Sequence, residues 1–351
     1  MPRWVYVLVV FGAVAAAGQA VGAPPLVIFA TACLGLVPLA GLIGHATGQL
    51  ALRMGPQSGG LLNATFGNAA ELIITILALR QGLFTLVKAS ITGSIIGNTL
   101  LVLGLALLTG GLRHGLLKYD ARMASLNAAL MILAVAGLLL PAAFASLVPD
   151  PARLEELSVI VAIILLASYA AYLLFLLRGQ LGWRAAEAAV DEPAATGWSI
   201  RRGLVVLAVA TLGTALVSEA LVNAVTPVTE QLGWTELFVG VILIPIVGNA
   251  AENWAAVRAA WRNHADLTLG ITSGSSTQIP LFVTPVLILV SLAIGEPMTL
   301  AFQPLELLVL GLTTAISAYI SLDGESHWLE GVLLLALYLM TAAVFFLDPI
   351  A

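Results

Sequence analysis

The pentapeptide GNAAE occurs twice in this chain, at residues 67–71 within NATFGNAAELIITILA and at residues 248–252 within IPIVGNAAENWAAVRAA. The copies are 181 positions apart, and each ends in a glutamate surrounded by apolar residues. An ionisable side chain at such a place is costly to bury, so its exact repetition indicates a functional site rather than accident. The similarity continues at the same offset in pairs of identical residues: Gly93 and Gly274, Ser94 and Ser275, Leu100 and Leu281.

The composition indicates a polytopic membrane protein. Of 351 residues, 60% are hydrophobic and 9% are charged, and the mean hydropathy is +1.04. The net charge of −5 gives no reason to expect nucleic acid, and the sole cysteine, Cys33, has no partner for an intrachain disulfide. Apolar windows predict about eleven transmembrane helices, centred near residues 13, 38, 70, 98, 132, 166, 213, 248, 280, 311 and 338.

The charged residues suggest an order for these helices. We interpret Trp4 to Gly22 as a retained first span rather than a signal peptide, and we predict a cytoplasmic linker at 179–202 that holds Glu187, Asp191 and Glu192. With the N-terminus in the cytoplasm, eleven basic residues fall on the cytoplasmic side: Arg3, Arg53, Arg113, Lys118, Arg122, Arg178, Arg184, Arg201, Arg202, Arg258 and Arg262. Only Arg80, Lys88 and Arg153 fall outside. The imbalance favours an odd number of spans, with the C-terminus outside.

Five membrane crossings separate Glu71 in the third predicted span from Glu252 in the eighth, so the two motifs run in opposite directions. The sequence therefore predicts an all-α fold with an N-terminal helix at 1–23 and inverted five-helix repeats at 24–178 and 203–351. In transporters of this design, the substrate site lies near the bilayer midplane where the repeats meet.

Each motif offers a small cluster of oxygen atoms. Residues three apart share a helix face, which places an asparagine beside a glutamate twice: Asn68 with Glu71, and Asn249 with Glu252. Gly67 and Gly248 allow the helix to deform and to present backbone carbonyl groups to the same point. Ligation by oxygen alone suits a hard cation such as Ca²⁺. The alternative is that the glutamates lie at helix ends or pair with a buried base.

A second polar stretch follows each motif, and it contributes Ser94, Asn98, Ser275 and Gln278 to the predicted metal site. Small hydroxyl residues at such positions commonly serve only helix packing. Because these four residues lie in the same pseudo-symmetric zone as the two glutamates, we favour the functional interpretation.

The sequence resembles the cation/proton exchangers of the calcium/cation antiporter superfamily. The matching stretches are GGLLNATFGNAAELI (59–73), GSIIGNTLLVLG (93–104), FVGVILIPIVGNAAE (238–252), GSSTQIPLFVTP (274–285) and DGESHWLEG (323–331). The resemblance implies Ca²⁺/H⁺ antiport, eleven helices, and a calcium site built from the repeat glutamates and the asparagines before them. Sodium/calcium exchangers usually carry an acidic residue where this chain has Gln278.

Some positions depart from the family pattern or have more than one interpretation. Asn253 and Trp254 follow the second motif, where the family often has histidine. In HATGQLA on the second span, Gly48 and Gln49 stand where the family usually has the acidic residue of an ATE triplet. Three further residues are candidates for a proton path or cavity mouth: Glu219, His45 and Glu306. For Glu219 we favour the cavity mouth, for His45 a hydrogen-bonded packing role, and for Glu306, narrowly, a helix N-terminus.

The function predicted from these features is secondary active transport, not catalysis. Two carboxylates in a poorly hydrated site need either a divalent cation or protons to compensate their charge, so Ca²⁺ and H⁺ exclude each other. The predicted substrates are Ca²⁺ and H⁺, without a cofactor, and the predicted location is a prokaryotic inner membrane. Exchange coupled to Na⁺ or K⁺ and a divalent cation channel are the alternatives, and a homo-oligomer is left open.

Overall fold

The computed structural model describes residues 7–178 and 197–348, except for the side chains at 55–61, 63, 64 and 177. The first half contains seven α-helices: α1 Val9–Val21, α2 Pro25–Phe66, α3 Ala69–Arg80, α4 Phe84–Ile96, α5 Leu103–His114, α6 Ala121–Leu147 and α7 Pro151–Leu177. The second half contains eight: α8 Ile200–Leu232, α9 Glu236–Phe238, α10 Ile244–Gly248, α11 Ala250–Trp261, α12 Ala265–Gln278, α13 Thr284–Ile294, α14 Pro304–Ile320 and α15 Trp328–Leu347.

Wider π-helical turns join several of these helices into longer rods. Gly97–Val102 connects α4 to α5, Val239–Leu243 connects α9 to α10, and Ile279–Val283 connects α12 to α13. Each widened turn shifts the side chains that follow it around the helix axis, and such turns occur frequently at functional sites. Two short strands, β1 Leu117–Lys118 and β2 Glu325–Ser326, pair antiparallel.

The predicted all-α membrane fold is confirmed. Seven helices are long and apolar enough to cross a membrane, and a bent pair, Glu236–Gly248 with Ala250–Trp261, raises this to eight. Two shorter apolar helices, α1 and α14, lie at other predicted centres. All eleven predicted centres fall on helical residues, although the number of membrane crossings stays a prediction.

The boundary between the second and third predicted spans differs from expectation. Arg53 was predicted in a loop, whereas the structure continues α2 through it to Phe66, a helix of 42 residues. At about 1.5 Å per residue, such a helix is about twice as long as the hydrocarbon core is thick. Within α2, Pro25–Met54 is one of the segments that are long and apolar enough to cross a membrane.

The helix bounds repeat at the offset found in the sequence. Displaced by 181 positions, α3 has the bounds of α11, and α4 begins where α12 begins. The sequence repeat is therefore also a repeat of helix starts and breaks around the two GNAAE motifs.

Segments that the eleven-span prediction places on the same side lie together. At one end, β1 pairs with β2, and the Asp120 amide donates to Asp266 Oδ1 at 2.7 Å. At the other end, Lys88 Nζ donates to the Ala301 carbonyl at 2.7 Å. The predictions for Arg3, Arg184 and the acidic linker residues, and for the two chain termini, lie outside the described residues.

Burial distinguishes central from peripheral helices. The rod Phe84–His114 has 83% of its apolar window buried inside the protein, whereas Pro151–Leu176 has 22%. Outward faces of α7 and α8 carry exposed Ile163, Leu212 and Leu216, as expected of helices that face lipid. The central rod carries Ser94 and Asn98, so the candidate site lies in the most enclosed part of the molecule.

Candidate functional site

Both GNAAE motifs interrupt a helix in the same way. Asn68 precedes α3 with φ −95° and ψ 17°, and Asn249 precedes α11 with φ −97° and ψ 9°. Neither value is regular α-helix, and the second break bends its helix pair by 64°. The preceding residues, Gly67 and Gly248, have no side chain to obstruct this change of direction. A methyl group at Gly248 would contact the Glu71 side chain, so this glycine also makes room for the site.

Glu71 lies in the most polar part of the interior. Its side chain is only 3% exposed. Its Oε1 accepts hydrogen bonds from the Ser94 hydroxyl and from Asn249 Nδ2, the latter at 2.7 Å. Asn249 Nδ2 also lies 3.4 Å from Ser94 Oγ. The first motif's glutamate is therefore held by one residue from each half of the chain.

The side-chain amides of the two asparagines donate hydrogen bonds to the opposite half of the chain. Asn249 donates to Glu71, whereas Asn68 Nδ2 donates to Gln278 Oε1 at 2.7 Å. The break after each glycine places each asparagine ahead of the helix that carries the glutamate. That Asn68 and Asn249 also lie beside the glutamates of their own motifs stays a prediction.

Two further hydrogen bonds join the central helices. Asn98 Nδ2 donates to Ser275 Oγ at 3.0 Å, and Thr99 Oγ1 lies 3.0 Å from Ser276 Oγ. Ser275 is also within hydrogen-bonding reach of the Glu252 carboxylate, which in turn interacts electrostatically with Glu71. The structure thus brings the two carboxylates and the polar residues of both second stretches into one cluster.

Three oxygen atoms of this cluster are buried without a hydrogen-bond donor among the described residues. They are Glu71 Oε2, Glu252 Oε2 and Asn68 Oδ1. Buried oxygens of this kind need compensation, and a cation that takes carboxylate and amide oxygens supplies it. Within the described ranges, no three His, Cys, Asp or Glu side chains gather as a metal site. A divalent substrate would therefore be held by two carboxylates completed by neutral oxygens.

The two glycines that precede the site serines have different surroundings. A methyl group at Gly93 would overlap the backbone of Val241, so α4 and the neighbouring π-helical turn cross in direct contact. Gly240 on that turn is packed equally closely against Ala89. Gly274, at the equivalent position of α12, has open space beside it.

A cavity that is open to the outside borders Gly274 and accounts for the open space there. It begins at the end of the molecule marked by Asp120 and Asp266 and reaches Gly274, the neighbour of Ser275 in sequence. Asn127 and Tyr172 line it as well, and neither site glutamate does. The cavity approaches the cluster along α12 without including the carboxylates.

The three residues predicted for a proton path or cavity mouth take no part in the hydrogen bonds of this cluster. Glu219 is exposed on α8. His45 is exposed on α2, and its ring contacts Trp198 edge-on with centroids 5.0 Å apart. Glu306 is buried at the start of α14, where its Oε2 accepts from the Gln303 amide at 2.9 Å.

Sequence reasoning missed some polar residues near the site. Thr99 and the buried Oδ1 of Asn253 were not predicted as site atoms. Thr99 directly follows Asn98, and its partner Ser276 follows Ser275. A comparison of both polar stretches residue by residue could have found that pair, and Asn253 directly follows Glu252 at a position where the family often has histidine.

The family model described as sodium/calcium exchanger protein matches residues 24–178 and 202–347. The chain belongs to this exchanger family. It is 44% identical over 338 residues to a Ca²⁺/H⁺ antiporter of Aphanothece halophytica, an alignment that covers 92% of this chain and 91% of the relative. It is 40% identical over 351 residues to the Ca²⁺/H⁺ antiporter ChaA of Bacillus subtilis, covering 99% of this chain and 100% of the relative.

Solved exchanger structures have the same fold. The structure of native YfkE superposes with a TM-score of 0.86 at 37% identity, covering 98% of this exchanger and 100% of that chain. The H⁺/Ca²⁺ exchanger CAX superposes with a TM-score of 0.73 at 13% identity over 98% of this chain and 91% of that one. At that identity, the second likeness shows the fold alone. The exchanger is thus an all-helical integral membrane protein.

Proposed function

We propose that this exchanger carries Ca²⁺ in one direction and H⁺ in the other by alternating access. The observation that carries the proposal is the pair of glutamates, each with a buried oxygen that accepts no hydrogen bond from a described residue. The Ca²⁺/H⁺ antiporters named among its relatives are up to 44% identical to it over nearly their whole length. The transported Ca²⁺ and H⁺ are substrates, and no cofactor is required.

The chemistry of the cluster makes the two substrates exclusive. Two neighbouring carboxylates in a site with little water repel each other, and either a divalent cation or protons must compensate their charge. In the Ca²⁺-loaded form, Glu71 and Glu252 would supply charged ligands and Asn68 a neutral oxygen. Ser94, Asn98, Asn249, Ser275 and Gln278 would hold these ligands in place by the hydrogen bonds described above.

The repeat geometry supplies the coupling in this proposal. The two five-helix halves, at 24–178 and 203–351, are inverted repeats that meet at the cluster. The N-terminus and the linker at 179–202 face the cytoplasm, and the C-terminus lies outside. Rocking of one half against the other exposes the same oxygens to each side in turn. The cell membrane of a prokaryote is the proposed location.

Flux measurements in proteoliposomes test the exchange. Purified protein should move Ca²⁺ when a pH gradient is imposed, and each transported Ca²⁺ should be accompanied by proton movement in the opposite direction. A Na⁺ or K⁺ gradient at constant pH should give no uptake above protein-free vesicles. Uptake driven by Na⁺ or K⁺ would contradict proton coupling, and Ca²⁺ conduction with neither gradient would indicate a channel.

Labelling from either side tests the orientation. Cysteines introduced singly at exposed Gln231 and at exposed Arg113, in a background with Cys33 replaced, should be labelled from opposite sides of the membrane. Gln231 is expected outside and Arg113 inside. Labelling of both from the same side would contradict the inverted repeat without affecting the flux result.

A further inference from the structure

A second fully buried glutamate, besides Glu71, lies outside the candidate site. Glu306 is 1% exposed and belongs to the first turn of α14. Its Oε2 accepts a hydrogen bond from the backbone N–H of Gln303, as the glutamate of a helix-capping box does. Capping of this kind uses one carboxylate oxygen and is common at exposed helix ends, so it does not explain why the second oxygen is also buried.

The second oxygen holds a different helix. Glu306 Oε1 lies 2.9 Å from the Thr92 hydroxyl of α4, a contact between residues 214 positions apart. The hydroxyl also lies 3.0 Å from the Lys88 carbonyl of its own helix, but donation to a carboxylate is the stronger interaction. Lys88 itself donates to the Ala301 carbonyl and interacts electrostatically with Glu306. Residues 301–306 therefore hold one face of α4 at two points.

This face of α4 is opposite to the site. Lys88 and Thr92 are one turn apart on a common face, whereas Ser94 is two residues beyond Thr92, or about 200° around the axis. On that other side, the Ser94 hydroxyl donates to Glu71. The helix thus lies between two buried carboxylates, one held by Thr92 and one held by Ser94.

The charged residues of this contact are not repeated at the equivalent positions of the other half. At the repeat offset, Lys88 corresponds to Leu269 and Glu306 to Ser125, so neither charge is repeated. The interaction is not a consequence of the internal symmetry, and it affects only the helix that contacts Glu71.

We propose that Glu306 is a positioning residue for exchange: by binding Thr92, it holds α4 so that Ser94 reaches Glu71. Both carboxylate oxygens of Glu306 accept hydrogen bonds, whereas each site glutamate keeps one buried oxygen without a donor among the described residues, so we assign Glu306 no role as a cation ligand. The inference rests on the proposed function for its transport consequences, whereas the contact between α4 and α14 can be tested without reference to the substrate.

The first test measures Ca²⁺ binding to the purified full-length protein. Thr92→Val removes the hydroxyl with little change of volume and should weaken Ca²⁺ affinity by about tenfold, the worth of one hydrogen bond to a charged group. Thr92→Ser keeps the hydroxyl and should restore wild-type affinity. The matched control is Thr313→Val on α14, because that buried hydroxyl has no hydrogen-bond partner among the described residues.

Repeating Thr92→Val in a protein that lacks the Ser94 hydroxyl distinguishes a positioning role from a general loss of structure. In a Ser94→Ala protein, Thr92→Val should have no further effect on Ca²⁺ affinity, since the atom that it positions is gone. An equal tenfold loss in that background, or a failure of Thr92→Ser to restore binding, would overturn the proposal. Wild-type affinity in Thr92→Val would overturn it as well.

A second measurement does not depend on the substrate. Thermal unfolding measures the stability of Thr92→Val, Glu306→Gln and the double variant. The double variant should lose less stability than the two single variants added together, because both substitutions weaken the same hydrogen bond. Additive losses would overturn the proposed contact. If wild-type protein bound no Ca²⁺ but the two substitutions remained coupled, the proposed function would fail while the contact between α4 and α14 stood.

Discussion

The two GNAAE motifs have the same five residues but different surroundings. In the first, Glu71 is buried, and its Oε1 accepts from Ser94 and Asn249. In the second, Glu252 is partly exposed, with Ser275 within reach of its carboxylate. Each glutamate nevertheless keeps a buried Oε2 without a donor among the described residues.

Identical motifs therefore form different hydrogen bonds, because the residues that surround them differ. Asn249 binds the glutamate of the other half, whereas Asn68 binds Gln278. Gln278 has Gly97 at the equivalent position of the first half, and glycine offers no amide to bind. A symmetric pair of motifs thus becomes an asymmetric site through one residue outside both. The crossing contacts at Gly93 and Gly240 belong to the same asymmetry, because Gly274 borders a cavity.

The largest effect is expected from neutralising either glutamate. Glu71→Gln and Glu252→Gln should each abolish Ca²⁺/H⁺ exchange in proteoliposomes while leaving the protein folded, because the amide keeps the volume but not the charge. The remaining carboxylate can neither balance Ca²⁺ nor carry the full proton load. The different surroundings of the two residues should make no difference to this outcome.

The matched control is Glu156→Gln, which makes the same change at an exposed position of α7. It should transport like the wild type, and size-exclusion profiles of all three variants should be the same. Near-normal exchange by one site variant would mean that a single glutamate forms the site and that the two motifs are not equivalent halves.

A second prediction uses pH to ask whether both glutamates share the protons. Their oxygens must be deprotonated before they ligate Ca²⁺, so affinity should fall as pH falls, by up to about a hundredfold per unit if two protons are displaced. Ca²⁺ binding is measured across about pH 5 to 9 while the released protons are counted, which gives the number of protons displaced per Ca²⁺. Affinity that stayed flat, with no proton released, would exclude competition.

The sequence allowed much of this architecture to be predicted. All eleven helix centres and the repeat at offset 181 followed from apolar windows and identical residues, because both depend on local pattern. The burial of Glu71 followed from its apolar neighbours. What could not be predicted were contacts set by how broken helices cross, such as Asn249 with Glu71, 178 positions apart, or Thr92 with Glu306. The continuation of α2 beyond Arg53 was also missed, since a charged residue beside glycine and proline is typical of a loop.

A third prediction concerns the glycines before the two site serines. Gly93→Ala should destabilise the protein by about 1–3 kcal/mol, because a methyl group there overlaps the Val241 backbone. Gly274→Ala, at the equivalent position, should be nearly neutral because the added methyl group meets no atom of a described residue within 4 Å. Thermal unfolding in detergent measures both.

Equal loss of stability in the two alanine variants would show that Gly274 is as closely packed as Gly93 under the conditions of the measurement. The difference in packing between the two halves would then be specific to one conformation of the protein rather than fixed by the sequence. A stable Gly93→Ala protein would contradict the close crossing itself.

The smallest effect tests the crossed asparagines directly. Asn68→Ala and Gln278→Ala remove the two ends of one hydrogen bond between neutral groups, worth about 1 kcal/mol, so the double variant should lose that much less stability than the sum of the single variants. The matched cycle combines Asn249→Ala with Gln278→Ala. It should show no coupling, because Asn249 donates to Glu71 and Ser94 instead. Chemical unfolding of the six proteins in one detergent gives both coupling energies. If Asn249 and not Asn68 proved coupled to Gln278, the assignment of Asn68 to Gln278 and of Asn249 to Glu71 would be wrong.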